Sequence, residues 1–197
     1  LMQAETLAGG FDTPAVQSAH AFRGLLEAMA RPGTVRQIGG AAPPRPLSPA
    51  AGCALLTLCD TDTPVYLAGG ADCDAVRAWL AFHTGAPLTG PSHCAFAIGR
   101  WEDLLPLSAY PTGTSEYPDR SATLIVDGTD FAKPGAVLRG PGISGQATMA
   151  LPGIKAFQDN NALFPLGLDF IFAGGSRIAA LPRSTKITAP ATVTEVF

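Results

Sequence analysis

Arginine, carboxylate, hydroxyl and glycine residues concentrate in four short stretches of this 197-residue chain. The densest is Gly113-Thr114-Ser115-Glu116-Tyr117-Pro118-Asp119-Arg120-Ser121, just ahead of an apolar run that starts at Ala122. Loops at strand ends carry function disproportionately. Glu116 or Asp119 can hold Arg120 in a bidentate pair, and Arg120 can hold an anion. The same residues can equally make a hydrogen-bonded loop that covers a sheet or packs on a partner. The second stretch is Arg139-Gly140-Pro141-Gly142-Ile143-Ser144-Gly145-Gln146. Its glycines can turn backbone N–H groups toward a phosphate. It lacks the GxGxxG spacing between strand and helix and the Lys-[Ser/Thr] ending of a P-loop, and its prolines favour a wide turn. The third, Asp159-Asn160-Asn161, offers amides to the end of a helix or to an incoming chain, with local capping the simpler use. The fourth, Leu181–Lys186, brings Arg183 and Lys186 to a strand exit, where they contact an anion or water. The candidates for an anion site are therefore Arg120, Arg139, Gly140, Gly142 and Arg183. The idea requires the three arginines to converge on one cleft.

Other chemistries have weaker support. His20, His83 and His93 are not spaced as ligands on one helix face, and adjacent residues of a strand, such as His93 and Cys94, point to opposite sides. GxSxG and HExxH patterns are absent. Cys53, Cys59, Cys73 and Cys94 form no CxxC pair, and free buried thiols are the ordinary state in a reducing compartment. None of Lys133, Lys155 and Lys186 sits at a strand end beside a glycine-rich phosphate cup. The residues thus point to no catalytic group, no metal and no cofactor. The formal net charge of −3, without a basic stretch, argues against nucleic acid or an anionic membrane as the main partner. No apolar run approaches the ~20 residues of a membrane span. Leu1–Gly10 lacks the basic and apolar regions of a signal peptide, so a cytoplasmic location is expected. Charged residues make up 15% of the chain, against about 25% in an average soluble domain. With 47% hydrophobic residues, 22 Gly and 18 Pro, the chain reads as one compact, turn-rich domain over residues 1–197.

The elements that must position these residues follow from periodicity and punctuation. Thr13-Pro14 opens a helix to Ala30, with Ala19, Phe22, Leu26 and Met29 as its apolar face. Arg31-Pro32-Gly33 breaks it, and Thr34–Ile38 is a short strand. Ser48-Pro49 starts a helix to Cys59, and a third helix, from Asp72 or Cys73, ends at Thr84-Gly85 with Val76, Trp79, Leu80 and His83 on one face. Trp101–Leu105 and Ile154–Leu163 are further helices. Strands are predicted at 64–68, 94–98, 122–126, 136–139 and 147–151. Leu168–Ala173 and Arg177–Leu181 form a hairpin around Gly174-Gly175-Ser176. Helices and strands alternate early and strands dominate later, which predicts an α/β sandwich, a mixed β-sheet covered by helices.

Several segments together resemble one family, the PhnH subunit of bacterial carbon–phosphorus lyase. They are Gly10-Phe11, Ala21-Phe22-Arg23 and Ala28–Gly33; Ala54–Leu58 with Asp60 and Thr63-Pro64-Val65; Trp79-Leu80 with Phe82–Gly85; Gly113-Thr114 and Glu116–Thr123; Gly140–Ile143; Asn161 with Phe164-Pro165, Gly167 and Asp169; and Leu181–Thr185. They run in family order over about residues 10–186. The resemblance implies a three-layer α/β sandwich with a mixed β-sheet, a fold like that of pyridoxal-phosphate-dependent transferases without the cofactor site. It implies a homodimer that joins other carbon–phosphorus lyase subunits. It also implies an accessory role in transferring the ribose triphosphate moiety of ATP to methylphosphonate, not catalysis by this chain alone. The later radical cleavage of the carbon–phosphorus bond belongs to another subunit, because this chain lacks the cysteine triplet. Ser115 and Ser184 stand where relatives are expected to carry Asp and Thr, which argues against strict catalytic roles at those positions. The competing reading is a stand-alone small enzyme or binding protein that takes a phosphorylated ligand at the arginine- and glycine-rich loops.

Overall fold

The computed structural model describes residues 7–190. Helix α1 spans Pro14–Ala30, with Thr13 at the N-cap position. The Thr13 side chain makes no capping bond; its N–H instead donates to Gln17 Oε1 at 2.7 Å. Strand β1 (Arg36–Gln37) and a proline-rich excursion lead to α2 (Pro49–Leu58), where Ser48 Oγ accepts the Ala51 N–H. Then follow β2 (Val65–Leu67), α3 (Asp74–Thr84), β3 (Phe96–Gly99), α4 (Trp101–Leu104) and β4 (Thr123–Asp127). The rest comprises β5 (Ala136–Arg139), β6 (Ala147–Met149), α5 (Ile154–Asn161), β7 (Asp169–Gly174), β8 (Arg177–Leu181) and β9 (Lys186–Thr188). Gly85 terminates α3 at φ +67, the left-handed position that the sequence assigns to it. Gly175 at φ +58, followed by a residue with negative φ, gives the β7–β8 hairpin the type II′ pattern.

The main sheet has the order β1-β8-β7-β4-β3-β2. Strands β2, β3, β4 and β7 run parallel, whereas β8 and β1 are antiparallel to their neighbours. Ile98, Ile125 and Ile171 share one row across β3, β4 and β7, while Ala97, Leu124 and Phe170 share the next. Successive side chains of a strand face opposite ways, and these rows feed two separate cores. The isoleucine face packs under α1, α2 and α3 with Leu55, Trp79 and Leu80. The other face packs Leu124, Phe170 and Phe172 against α4, α5 and a three-stranded antiparallel sheet of order β6-β5-β9. The architecture is therefore α/β with a mixed six-stranded sheet, as the alternation of elements predicts. Strand β9 begins at Lys186, where the sequence marks only a strand exit over Leu181–Lys186. No helix among the described residues is long and apolar enough to cross a membrane.

One predicted face is wrong. α1 buries Ala21, Leu25 and Ala28; of the predicted stripe only Met29 packs against this core, while Ala19, Phe22 and Leu26 are exposed. Val16, Phe22 and Leu26 are 70%, 50% and 58% exposed. The helix carries apolar residues on two sides, so spacing alone does not choose between them. The choice falls to size: Ala21, Gly24 and Ala28 let α1 lie close to Ile38 and to the alanine-rich α2. Val16, Phe22 and Leu26 are left facing outward.

Candidate functional site

Of the predicted site residues, Arg183 alone lies in a bonded cluster with residues of the other stretches, Pro118, Ser121 and Asn161, at the amino-terminal edge of the parallel strands. Arg183 follows β8, and Asp169 opens β7 beside the start of β4. Asp169 Oδ1 accepts both the backbone N–H of Arg183 (2.9 Å) and its Nε–H (3.2 Å), and Oδ2 accepts from Nη2 at 2.7 Å. Arg183 Nη1 donates to the Pro118 carbonyl at 2.9 Å, and Nη2 also donates to Ser121 Oγ. One guanidinium thus joins the 113–121 loop to the start of β7. A bidentate, charge-assisted pair of this kind holds geometry more firmly than a single contact. The side chains of Arg183 and Asp169 are 14% and 24% exposed.

The asparagines complete the same edge. Asn160 Nδ2 donates to the Leu168 carbonyl and its Oδ1 accepts the Leu168 N–H, so one amide replaces a strand partner. Asn161 Nδ2 donates to the Arg183 carbonyl. These amides serve an incoming chain, one of the two uses their position allows.

The other arginines point elsewhere. Arg120 stacks on the Tyr117 ring at 3.8 Å and forms no ion pair with Glu116 or Asp119. It lines a cleft of about 320 Å³ with Asp119, Ser121 and His93, and neither Arg139 nor Arg183 lines that cleft. Arg139 lies on β5 and donates to Gln146 Oε1 at 2.6 Å across its own loop. Gly140, at φ +138, lies over the Ser184–Thr185 backbone. Gly142, at φ +79, packs so close to α1 that a Cβ there would fall 1.9 Å from the Ala30 carbonyl oxygen.

These contacts link segments far apart in sequence. A comparison with known families finds that residues 9–188 match the model for the bacterial phosphonate metabolism protein PhnH. The chain belongs to the PhnH family. It is 37% identical over 195 residues to the alpha-D-ribose 1-methylphosphonate 5-triphosphate synthase subunit PhnH of Rhizobium meliloti (strain 1021), covering 94% of this chain and 97% of that protein. It is also 37% identical over 81 residues to the putative C-P lyase subunit protein HtxG of Stutzerimonas stutzeri, covering 38% of this chain and 42% of that one. In this PhnH chain the segments that carry the resemblance meet one another. Gly10 lies against the His83 ring, where a Cβ would clash, and His83 Nε2 lies 2.9 Å from the Leu7 carbonyl oxygen. Gly142 meets Ala30 and Pro32. Arg183 meets Pro118, Ser121 and Asp169. The residues of the first contact could not be paired from the sequence, because nothing in α3 announces that it binds the chain ahead of α1.

The thiols are chemically quiet. Burial raises the Cys53 thiol, and pushes Cys59 up to about 12 and Cys94 to about 11. A nucleophilic cysteine needs the opposite shift. We expect a thiol reagent at neutral pH to modify Cys73, the one half-exposed cysteine, and the other three only on unfolding. Rapid modification of two or more thiols in the folded protein would contradict this. The raised values also set a pH trend. Unfolded thiols ionise from about pH 9 while the folded ones stay protonated. Stability therefore falls as pH rises from 9 toward the folded values.

Proposed function

We propose that this chain is an accessory subunit of a carbon–phosphorus lyase assembly, required with partner subunits to transfer the ribose triphosphate moiety of ATP to methylphosphonate. The carrying observation is the 37% identity to a synthase subunit over nearly the full length of both chains. The Arg183 network supports the accessory role. Its donors are spent on Asp169, Ser121 and Pro118, so it braces loops instead of presenting a free guanidinium. We read the α/β architecture as that of the pyridoxal-phosphate-dependent transferases without their cofactor, and the protein as a cytoplasmic homodimer. The outward stripe of α1 favours such association: Ala15, Ala19, Phe22 and Leu26 are exposed and alternate by four, three and four residues, the spacing of a helix-pairing seam.

The test is affinity purification of the tagged chain from cells grown on methylphosphonate. Co-purification of other lyase subunits is expected, and recovery of the chain alone would overturn the reading. Phe22→Glu with Leu26→Glu, both on the exposed stripe, should leave the fold intact and turn a sedimenting dimer into monomer. An unchanged dimer would place the interface elsewhere.

A further inference from the structure

A cleft of about 220 Å³ opens on the opposite edge of the sheet, outside the carboxyl ends of β3 and β4. Arg100 follows directly on β3, and Asp127 ends β4. The Arg100 guanidinium lies against Gly128: a Cβ there would fall 2.6 Å from Nη1, and Gly128 itself has φ +79. Gly128 thus turns the chain in the left-handed region that favours glycine, beside the exposed Arg100 side chain.

The charges around the cleft are unusual in being left apart. Arg100 and Lys133 line it together with Glu102, Asp127 and Asp130. None of these five takes part in the ion pairs found among the described residues. Asp127 is already committed, since its two oxygens accept the Ser48 and Gly128 N–H groups at 2.9 and 2.8 Å. Asp130 spends one oxygen on the Ala132 N–H. Among the described residues, Arg100, Lys133 and Glu102 make no side-chain hydrogen bond at all. Opposite charges that share one small cleft without neutralising each other suit a ligand that carries both signs. The apolar walls, Trp101 and Leu151 among them, suit a short hydrocarbon spacer. The volume is below the roughly 300–1,000 Å³ of drug-sized pockets, which points to a molecule of amino-acid size.

We propose that this cleft binds a small zwitterion. Its oxyanion, a carboxylate or phosphonate, lies between Arg100 and Lys133. Its ammonium faces Glu102 and Asp130, and its methylenes lie on the Trp101 wall. All of these residues belong to one chain, so the isolated protein suffices for the test.

The test is calorimetric titration of the isolated full chain with 2-aminoethylphosphonate and with β-alanine, and with the half-ligands methylphosphonate and ethylamine. Saturable binding of at least one zwitterion is expected, with both half-ligands weaker by about tenfold or more. A preference for 2-aminoethylphosphonate assigns a phosphonate head group, and a preference for β-alanine assigns a carboxylate. Arg100→Gln and Lys133→Gln, at exposed positions, should each weaken the zwitterion about tenfold with the melting temperature unchanged. Glu102→Gln should weaken the zwitterion and leave methylphosphonate unaffected. The proposal is overturned if neither zwitterion saturates, if methylphosphonate binds as tightly as the zwitterion, or if the glutamine variants bind like the parent.

Discussion

Replacing Arg183 with alanine is expected to destabilise the protein by roughly 3 kcal/mol, the cost of breaking a largely buried ion pair from one side. At this chain length that is a fall in melting temperature of roughly 6–12 °C. The loss is large because the guanidinium has several partners. Without it Asp169 keeps its charge at 24% exposure with only the Arg183 backbone N–H left as a donor. The Pro118 carbonyl and the Ser121 hydroxyl also lose their donor. Exposed pairs such as Lys155–Asp159 offer a control, since their removal costs about 0–1 kcal/mol. Arg183→Lys restores the charge but not the planar fork, so it should recover only part of the loss. Thermal melts of the three variants decide the matter. An Arg183→Ala protein that melts with the parent would mean the network braces nothing.

What the sequence made legible, and what it did not, divides along a physical line. Helix starts and stops rest on local chemistry. Ser48-Pro49, Thr13-Pro14 and Thr84-Gly85 stand at the ends they predict, because caps and proline act within one turn. The hairpin at Gly174-Gly175-Ser176 is legible for the same reason. The inward face of α1 is not local. It depends on whether a neighbour offers room for Phe22 or only for Ala21, and that neighbour is α2, about thirty residues away. The role of Arg183 was hidden in the same way. Its charge suggested an anion, but its partner Asp169 is separated from it by a whole hairpin, and Ser121 lies 62 residues back. The sequence drew attention to Arg120 and its acidic neighbours in one loop. The structure stacks Arg120 on Tyr117 and uses the arginine that sequence proximity could not pair. The carboxyl-edge cleft was missed outright. Arg100 follows β3, whereas Gly128 and Lys133 lie in the loop after β4, and the parallel register of β3 and β4 brings the two stretches together.

Phe157→Ala is expected to cost roughly 3–5 kcal/mol, the range for removing a large buried aromatic. Phe157 is fully buried at the centre of the second core, with ring centroids 4.9 Å from Trp101, 4.8 Å from Phe170 and 5.8 Å from Phe172. It is the contact through which α5 packs on these sheet aromatics. Its stack on Trp101, 24° from parallel, also supports a wall of the cleft at the carboxyl edge. The variant should therefore show a second effect that stability loss alone does not produce. The chain has two tryptophans, and Trp79 lies in the other core, across the sheet. Loosening Trp101 should shift its emission to longer wavelength while Trp79 stays as it was. Leu55→Ala, a cavity of comparable cost on the Trp79 side, should destabilise the protein without moving Trp101. If both variants shift the emission alike, the two faces of the sheet do not respond as separate cores, and the cleft is not braced by Phe157.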